Sequence, residues 1–177
     1  MVEKDLENRL AGILRKGLAD RQVLRDVPIL SSTSNATCLY DLVGDLDFEL
    51  FQDTSDWNPE PKLMIDVAGG ITPDLVIRSR ASGDNRIYIE VKLTEDISGD
   101  MPLSQVVRQF LHLLAFSRHA PPTSKHDIRR ALLLAAPSAW FEKQSHLIKW
   151  RYFLDRYTDL ATLPHVDITL GELRLDA

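Results

Sequence analysis

Residues 71–93 read ITPDLVIRSRASGDNRIYIEVKL, which is two β-rich runs joined by a cluster of turn-forming residues. Branched and aromatic side chains dominate both runs, as is common in strands, whereas the joining residues include Ser, Gly, Asp and Asn. The pattern predicts a β-hairpin over residues 72–93.

Alternation within the hairpin separates apolar from charged residues. Charged side chains lie on even positions, so one face is expected to be core and the other polar. With a turn centred near Ser82, Asp74 lies opposite Glu90, and Lys92 lies one step along. The apolar residues on odd positions are Leu75, Ile77, Ile87, Ile89 and Val91.

Two carboxylates held this close repel each other unless one is protonated or a cation lies between them. Hard oxygen ligands favour Mg²⁺ or Mn²⁺. A metal there would activate a water and neutralise a scissile phosphate, with Lys92 orienting the water or stabilising the developing charge. The chemistry indicated is phosphodiester hydrolysis. The alternative is an exposed hairpin face with ordinary cross-strand salt bridges.

Pro73-Asp74, fifteen intervening residues and then Glu90-Val91-Lys92 resemble the motif of the PD-(D/E)xK nuclease superfamily. The resemblance implies a restriction endonuclease-like core. It also implies that Asp74 and Glu90 are metal ligands, that the main-chain carbonyl of Val91 is a further ligand, and that Lys92 is the catalytic lysine.

Residues outside the hairpin also match this resemblance. Many members carry a glutamate on the first helix, which implies Glu7 as a metal ligand, with Glu3 as the competitor. Some carry a glutamine on the helix after the lysine and a tyrosine four residues later. Gln105 matches half of this motif, because position 109 is also glutamine, and the resemblance implies Gln105 as a catalytic-site contact. Arg108 and His112 share the predicted polar helix face of Gln105 and are phosphate-contact candidates, or simply solvated.

The flanking sequence predicts an α/β fold. Apolar spacing indicates a helix over Glu3–Ala19, and alternation indicates strands within residues 42–50 and 63–67. Pro102 precedes a helical stripe that continues to residue 114. Residues 131–136 form a buried strand, followed by an aromatic helical segment and a strand at 166–170. This order predicts one domain over residues 1–177, a three-layer α/β/α fold with a central mixed β-sheet.

Charge is unevenly distributed along a chain whose net charge is −5. Residues 41–66 hold eight acids against Lys62 alone, as expected of a solvated face or of a docking surface for a partner. Asp66 either adds a carboxylate to the hairpin site or caps the strand end before Gly69. Residues 118–156 hold eight bases against three acids, together with Trp140 and Trp150, as expected of a nucleic-acid contact or of a solvated helix with core aromatics.

Other function classes lack their signatures. The single cysteine, Cys38, excludes an internal disulfide, and the histidines show no zinc-hydrolase spacing. No phosphate-binding loop or serine-nucleophile elbow occurs. The charged N-terminus and the absence of a 20-residue apolar run predict a cytoplasmic protein with no membrane partner.

The sequence therefore predicts an Mg²⁺- or Mn²⁺-dependent nuclease that hydrolyses DNA with a metal-activated water. The alternative is a nuclease-fold subunit that is non-catalytic or depends on a partner, and that binds protein or nucleic acid. A protein partner or a homodimer is compatible with either function, because 177 residues leave little beyond the core for target recognition.

Overall fold

The computed structural model describes residues 1–52, 73–79, 85–101, 103–119 and 129–176, which form a mixed α/β fold around one six-stranded sheet. The helices are α1 (Glu3–Ala19), α2 (Arg21–Arg25), α3 (Leu39–Val43), α4 (Gln105–His119), α5 (Ser138–Glu142) and α6 (Gln144–Ala161). The strands are β1 (Leu30–Ser31), β2 (Phe48–Gln52), β3 (Leu75–Ser79), β4 (Arg86–Val91), β5 (Arg130–Ala136) and β6 (Ile168–Arg174).

The sheet is open and mixed, with strand order β1-β6-β5-β4-β3-β2. The strands β4, β5 and β6 run parallel to one another, whereas β3, β2 and β1 pair antiparallel with their neighbours. Helices occupy the connections between the parallel strands, as parallel pairing requires a long crossover. The strands β4, β5 and β6 therefore end at the same edge of the sheet.

The predicted hairpin and its register are confirmed. Strands β3 and β4 pair antiparallel with Leu75 opposite Ile89 and Ile77 opposite Ile87. One step further along this register places Asp74 beside Glu90. The turn residues 80–84 lie outside the described residues.

Both faces of β4 are buried, so the prediction of a polar even face is wrong. All six β4 residues are buried, including Arg86, Tyr88 and Glu90 on even positions. The odd positions of the central strands pack with α1, α2 and α3 in one apolar cluster. The even positions pack with α4, α5 and α6 in another. Hairpin alternation cannot show that helices distant in sequence will cover the second face.

Helix α1 has the predicted bounds, because its local signals agree with its packing. Leu6, Leu10 and Leu14 recur at four-residue spacing and are fully buried against the sheet. Asp5 accepts a hydrogen bond from the Val2 amide at 2.9 Å, which satisfies a donor before the first turn. The basic residue Lys16 lies in the last turn, where the helix dipole favours positive charge.

The alternation over residues 42–50 predicts strands, but residues 39–43 form helix α3 instead. Leu39, Leu42 and Val43 are spaced by three and four and share one buried helix face. The Asp41 carboxylate accepts hydrogen bonds from the amides of Thr37 and Cys38, which stabilises the helix start. Only residues 48–52 form the expected strand.

The remaining predicted elements fall into three groups. The buried strand β5 and the aromatic helices α5 and α6 are confirmed. The last strand covers Ile168–Arg174, further along the chain than predicted, and α4 begins at Gln105 rather than at Pro102. The predicted strand at residues 63–67, Asp66 and Pro102 itself lie outside the described residues. In the described part of the chain, no helix is both long and apolar enough to cross a membrane.

We expect alanine at two glycines of α1 to have opposite effects. Gly12 has open space around an added Cβ, so Gly12→Ala should raise the free energy of unfolding by about 0.5–1 kcal/mol through helix propensity. A Cβ at Gly17 would contact the Leu24 side chain of α2, so Gly17→Ala should lower it by about 1–3 kcal/mol. Urea denaturation of both variants measures the difference. Equal stabilisation by both would contradict close packing of α1 on α2.

Candidate active site

Three charged side chains meet at the carboxyl end of β4. Asp74 directly precedes β3, Glu90 lies near the end of β4, and Lys92 follows its last residue. Glu90 is 1% exposed and Lys92 is 6% exposed. The exposed salt-bridge alternative is therefore wrong, because the side chains are enclosed by the helices that pack on the sheet.

Glu90 has two close polar partners. Its Oε1 lies 2.8 Å from the Nζ of Lys92, and its Oε2 accepts a hydrogen bond of 2.8 Å from Nε2 of Gln109 on α4. A buried charge without partners would be costly, and this arrangement supplies one cation and one amide donor. The Glu90 carboxylate is thus held in one orientation from both sides.

Asp74 is held on the backbone of the neighbouring strand. Its Oδ2 accepts a hydrogen bond of 2.7 Å from the amide of Val91. Burial and then the nearby negative charge of Glu90 raise the pKa of Asp74 to about 7, although the Val91 amide and Lys92 oppose the change. Asp74 and Glu90 thus interact electrostatically across the β3–β4 pair, as the hairpin register predicts.

Burial also changes the titration of the other two groups. It raises the pKa of the Glu90 carboxyl above its usual value, although Lys92 and Gln109 partly offset the effect. Burial alone would lower the pKa of Lys92, but the carboxylates of Glu90, Glu3 and Asp74 together outweigh it, so the net pKa of Lys92 is raised. Lys92 therefore keeps its positive charge at neutral pH.

The two first-helix glutamates occupy different places around this group. Glu3 contacts it directly, since its carboxylate accepts a hydrogen bond of 3.2 Å from the Leu93 amide and lies 3.6 Å from Nζ of Lys92. Glu7 is buried, pairs with Lys4 at 2.8 Å and accepts from Gln52 at 3.1 Å. The negative charge of Glu7 acts on Asp74 by raising its pKa.

Gln109, rather than Gln105, reaches the carboxylates in the described structure. Gln105 is the first residue of α4, and its side chain accepts a hydrogen bond of 2.7 Å from Ser98 in the preceding loop. Gln109 lies one turn further on and is 1% exposed against β4. Four-residue spacing places both glutamines on one helix face, and this spacing is visible in the sequence. The sequence does not show which of the two helix turns lies next to Glu90.

Both interpretations of His112, a phosphate contact and a solvated position, are wrong, because this side chain is fully buried. Its Nδ1 lies 2.7 Å from the hydroxyl of Tyr88 on β4. Burial, and then the positive charge of Arg86, lowers the pKa of His112 to about 4, so the ring is neutral at pH 7. Arg108 is half-buried on the same helix.

The chemistry of this group of side chains suits a divalent cation. Four carboxylates are linked through the contacts and electrostatic effects above, against two ammonium groups, which leaves a net charge of −2 when all are ionised. The described residues include no cluster of three or more Asp, Glu, His or Cys side chains able to hold a metal. Mg²⁺, however, is commonly bound through one or two carboxylates and keeps several waters. The acids are Glu3, Glu7, Asp74 and Glu90, and the bases are Lys4 and Lys92.

The basic, aromatic segment does not present its tryptophans to a partner. Trp140 and Trp150 are each 1% exposed, so neither can stack on a nucleic-acid base. Their ring N–H groups donate to the Glu95 carbonyl and the Glu172 carboxylate. The alternative of core aromatics is therefore confirmed for both residues.

The described part of the acidic segment also makes internal contacts. Asp45 accepts hydrogen bonds from the Tyr40 hydroxyl, and Glu49 pairs with Arg78 at 3.1 Å. Asp41 stabilises the start of α3, as described above. Residues 53–66, which carry the other acids of this segment, lie outside the described residues.

The chain was compared with protein-family models, with curated proteins and with solved structures, and none of them matched. The resemblance to PD-(D/E)xK nucleases is carried by the motif residues in the sequence. The geometry around Asp74, Glu90 and Lys92 is compatible with it.

We expect the Asp74 carboxyl to destabilise the metal-free protein progressively as the pH rises from about 4 to about 7. The pKa of Asp74 is raised to about 7 from the usual 3.8, so in this window the folded chain holds a proton that the unfolded chain releases. Stability is thus highest below pH 4 for this group and stays low above pH 7. Asp74→Asn should therefore be more stable than wild type at pH 8, by about 1–3 kcal/mol.

Urea denaturation of wild type and Asp74→Asn in EDTA at pH 5 and pH 8 measures this effect as the difference in stability between the two proteins. Asp155→Asn, which removes an exposed acid from α6, serves as the control for the loss of one negative charge. If Asp74→Asn were no more stable than wild type at pH 8, burial and the charge of Glu90 would not destabilise the Asp74 carboxylate.

Proposed function

We propose that this protein is a metal-dependent nuclease that hydrolyses phosphodiester bonds of DNA. The observation that carries the proposal is the placement of Asp74 beside Glu90, with Lys92 2.8 Å from Glu90, at the end of a buried strand. Two carboxylates with raised pKa values and one charged lysine are the side chains expected of such a site.

The side chains have distinct proposed roles. Asp74, Glu90 and the carbonyl of Val91 would hold Mg²⁺ or Mn²⁺. Glu7 or Glu3 would be a further metal ligand. When bound, the metal supplies Lewis-acid polarisation of a phosphate oxygen and a coordinated water of lowered pKa. Lys92, which stays protonated, would stabilise the negative charge that develops on the phosphate.

Gln109 is proposed to position Glu90. Its amide holds one carboxylate oxygen at 2.8 Å and leaves the other beside Lys92. Groups that orient a metal ligand in this way typically contribute 10- to 100-fold to metal affinity or activity.

We also propose that the fold is a three-layer α/β/α arrangement with a restriction endonuclease-like core in one domain. Its support is the order of elements and the two apolar clusters, one on each face of the sheet. The alternative, a nuclease-fold subunit that needs a partner or only binds one, is distinguished by the experiment below.

We expect Mg²⁺- or Mn²⁺-dependent cleavage of DNA that Asp74→Asn, Glu90→Gln and Lys92→Gln each reduce by about 100-fold or more. The assay compares single-stranded DNA, duplex DNA and RNA with and without EDTA. Circular dichroism confirms that each variant folds. Cleavage that persists in all three folded variants would exclude this site.

A parallel measurement separates the catalytic from the non-catalytic alternative. Mn²⁺ binding is measured by electron paramagnetic resonance. We expect it to be lost in Asp74→Asn and Glu90→Gln. Binding without cleavage of any substrate would favour a subunit that depends on a partner. The absence of both Mn²⁺ binding and cleavage would overturn the proposed metal site.

Gln109 and Gln105 provide a matched pair of variants on one helix. Gln109→Ala removes the donor to Glu90 and should lower Mn²⁺ affinity by about 10-fold or more, whereas Gln105→Ala, which loses a contact to Ser98, should leave the affinity within about two-fold. Equal effects of both substitutions would argue against a specific positioning role for Gln109.

A further inference from the structure

A separate cleft of about 380 Å³ lies at the other end of the parallel strands. It is lined near the amino ends of β4 and β5 by Ile87 and Ala131, whereas Glu90 and Lys92 lie at the carboxyl end of β4. Its volume is within the range of small-molecule sites. The charged residues that line it are Asp41, Arg129, Arg130 and Asp167.

Arg129 carries a positive charge in this cleft that no described carboxylate neutralises. Its guanidinium donates through Nη1 to the main-chain carbonyl of Asp41, a neutral acceptor. Its Nε is buried and has no acceptor among the described residues. A buried N–H without an acceptor is costly, so the hydrogen bonds described for this guanidinium leave part of its donor capacity unused.

The position of Arg129 is set by its neighbours. The Asn85 side chain accepts a hydrogen bond of 2.6 Å from its amide, which holds the backbone at the start of β5. Gly44, with φ +57°, ends α3 beside the guanidinium, and a Cβ there would lie 3.5 Å from Nη2. The arginine is therefore oriented before any ligand binds, which lowers the entropic cost of binding.

The two carboxylates of the cleft differ in whether they can accept a hydrogen bond from a ligand. The Asp41 carboxylate accepts hydrogen bonds from Thr37 and Cys38, and the Thr37 amide is the largest cause of its lowered pKa. The Asp167 carboxylate is exposed and has no hydrogen-bond partner in the described structure, and its φ of 46° is strained for a residue other than glycine. Asp167 can thus accept from a ligand donor, while Arg129 offers donors to a ligand anion.

We propose that this cleft binds a small molecule with one phosphate or carboxylate group, which Arg129 holds, and with hydroxyl or amino groups that face Asp167. Leu42 adds to the apolar lining, whereas the hydroxyls of Ser34 and Thr169 are hydrogen-bonded to each other at 3.2 Å. A polyanion such as DNA is disfavoured, because the carboxylates of Asp41 and Asp167 balance the charges of the two arginines that line this opening. The inference is independent of nuclease activity.

The first test follows the side-chain Nε–Hε NMR signal of Arg129 during titration with glycerol 3-phosphate, inorganic phosphate or acetate. We expect a saturable shift with glycerol 3-phosphate. Comparison of phosphate with acetate shows which anionic group the cleft prefers. No saturable shift with any of the three probes would overturn the proposal.

Matched variants test the residue assignment by isothermal titration calorimetry. Arg129→Gln should weaken the binding of glycerol 3-phosphate by about 10-fold or more, whereas Arg151→Gln, an exposed arginine on α6, should leave it within about two-fold. Equal losses in both variants would show non-specific charge attraction and overturn the site. Arg129→Lys keeps the charge without the Nε donor and should also weaken binding, which provides a second variant if Arg129→Gln does not fold.

Two further arms separate this cleft from the candidate active site. Asp74→Asn should bind glycerol 3-phosphate as the wild type does, because Asp74 lies at the other end of the strands. Binding that Asp74→Asn abolishes would place the ligand at the metal site and overturn the proposal. Loss of DNA binding in Arg129→Gln, without any effect on glycerol 3-phosphate, would mark a nucleic-acid surface instead.

Discussion

The strand β4 is buried along its whole length, and much of the structure follows from that burial. An apolar strand would meet this constraint at no electrostatic cost, but β4 carries Arg86 and Glu90 between its aliphatic residues. Removing such groups from water costs several kcal/mol each unless partners replace the water. The positions of Lys92 and Gln109 around Glu90 are the result at one end of the strand.

The carboxylates at this end oppose folding rather than stabilise it. Asp74 and Glu90 each have a raised pKa because the fold places them together in a buried setting. Natural active sites commonly contain such strain, because the arrangement that favours a ligand or a transition state is unfavourable without it. The large apolar clusters on both faces of the sheet supply the stability that permits this arrangement.

The two ends of the parallel strands differ in chemistry. At the carboxyl end of β4, carboxylates outnumber ammonium groups, which favours a cation. At the amino end, Arg129 extends into a cleft without an ionic partner in the described structure, which favours an anion. Helix α3 and its terminal Gly44 help to shape the amino end, whereas α1 and α4 shape the carboxyl end. The two groups of charged side chains therefore lie at opposite ends of β4.

The sequence alone determined the elements whose signals are local. The period-two pattern and the turn residues set the hairpin register that places Asp74 beside Glu90, and the four-residue apolar spacing set the bounds of α1. Only the tertiary structure decided which helix covers the second face of β4, which glutamine reaches Glu90 and whether the tryptophans face solvent. Periodicity shows which side of an element is apolar, but not which distant element packs there. Those contacts form only when the whole chain is folded, because they join residues far apart in sequence.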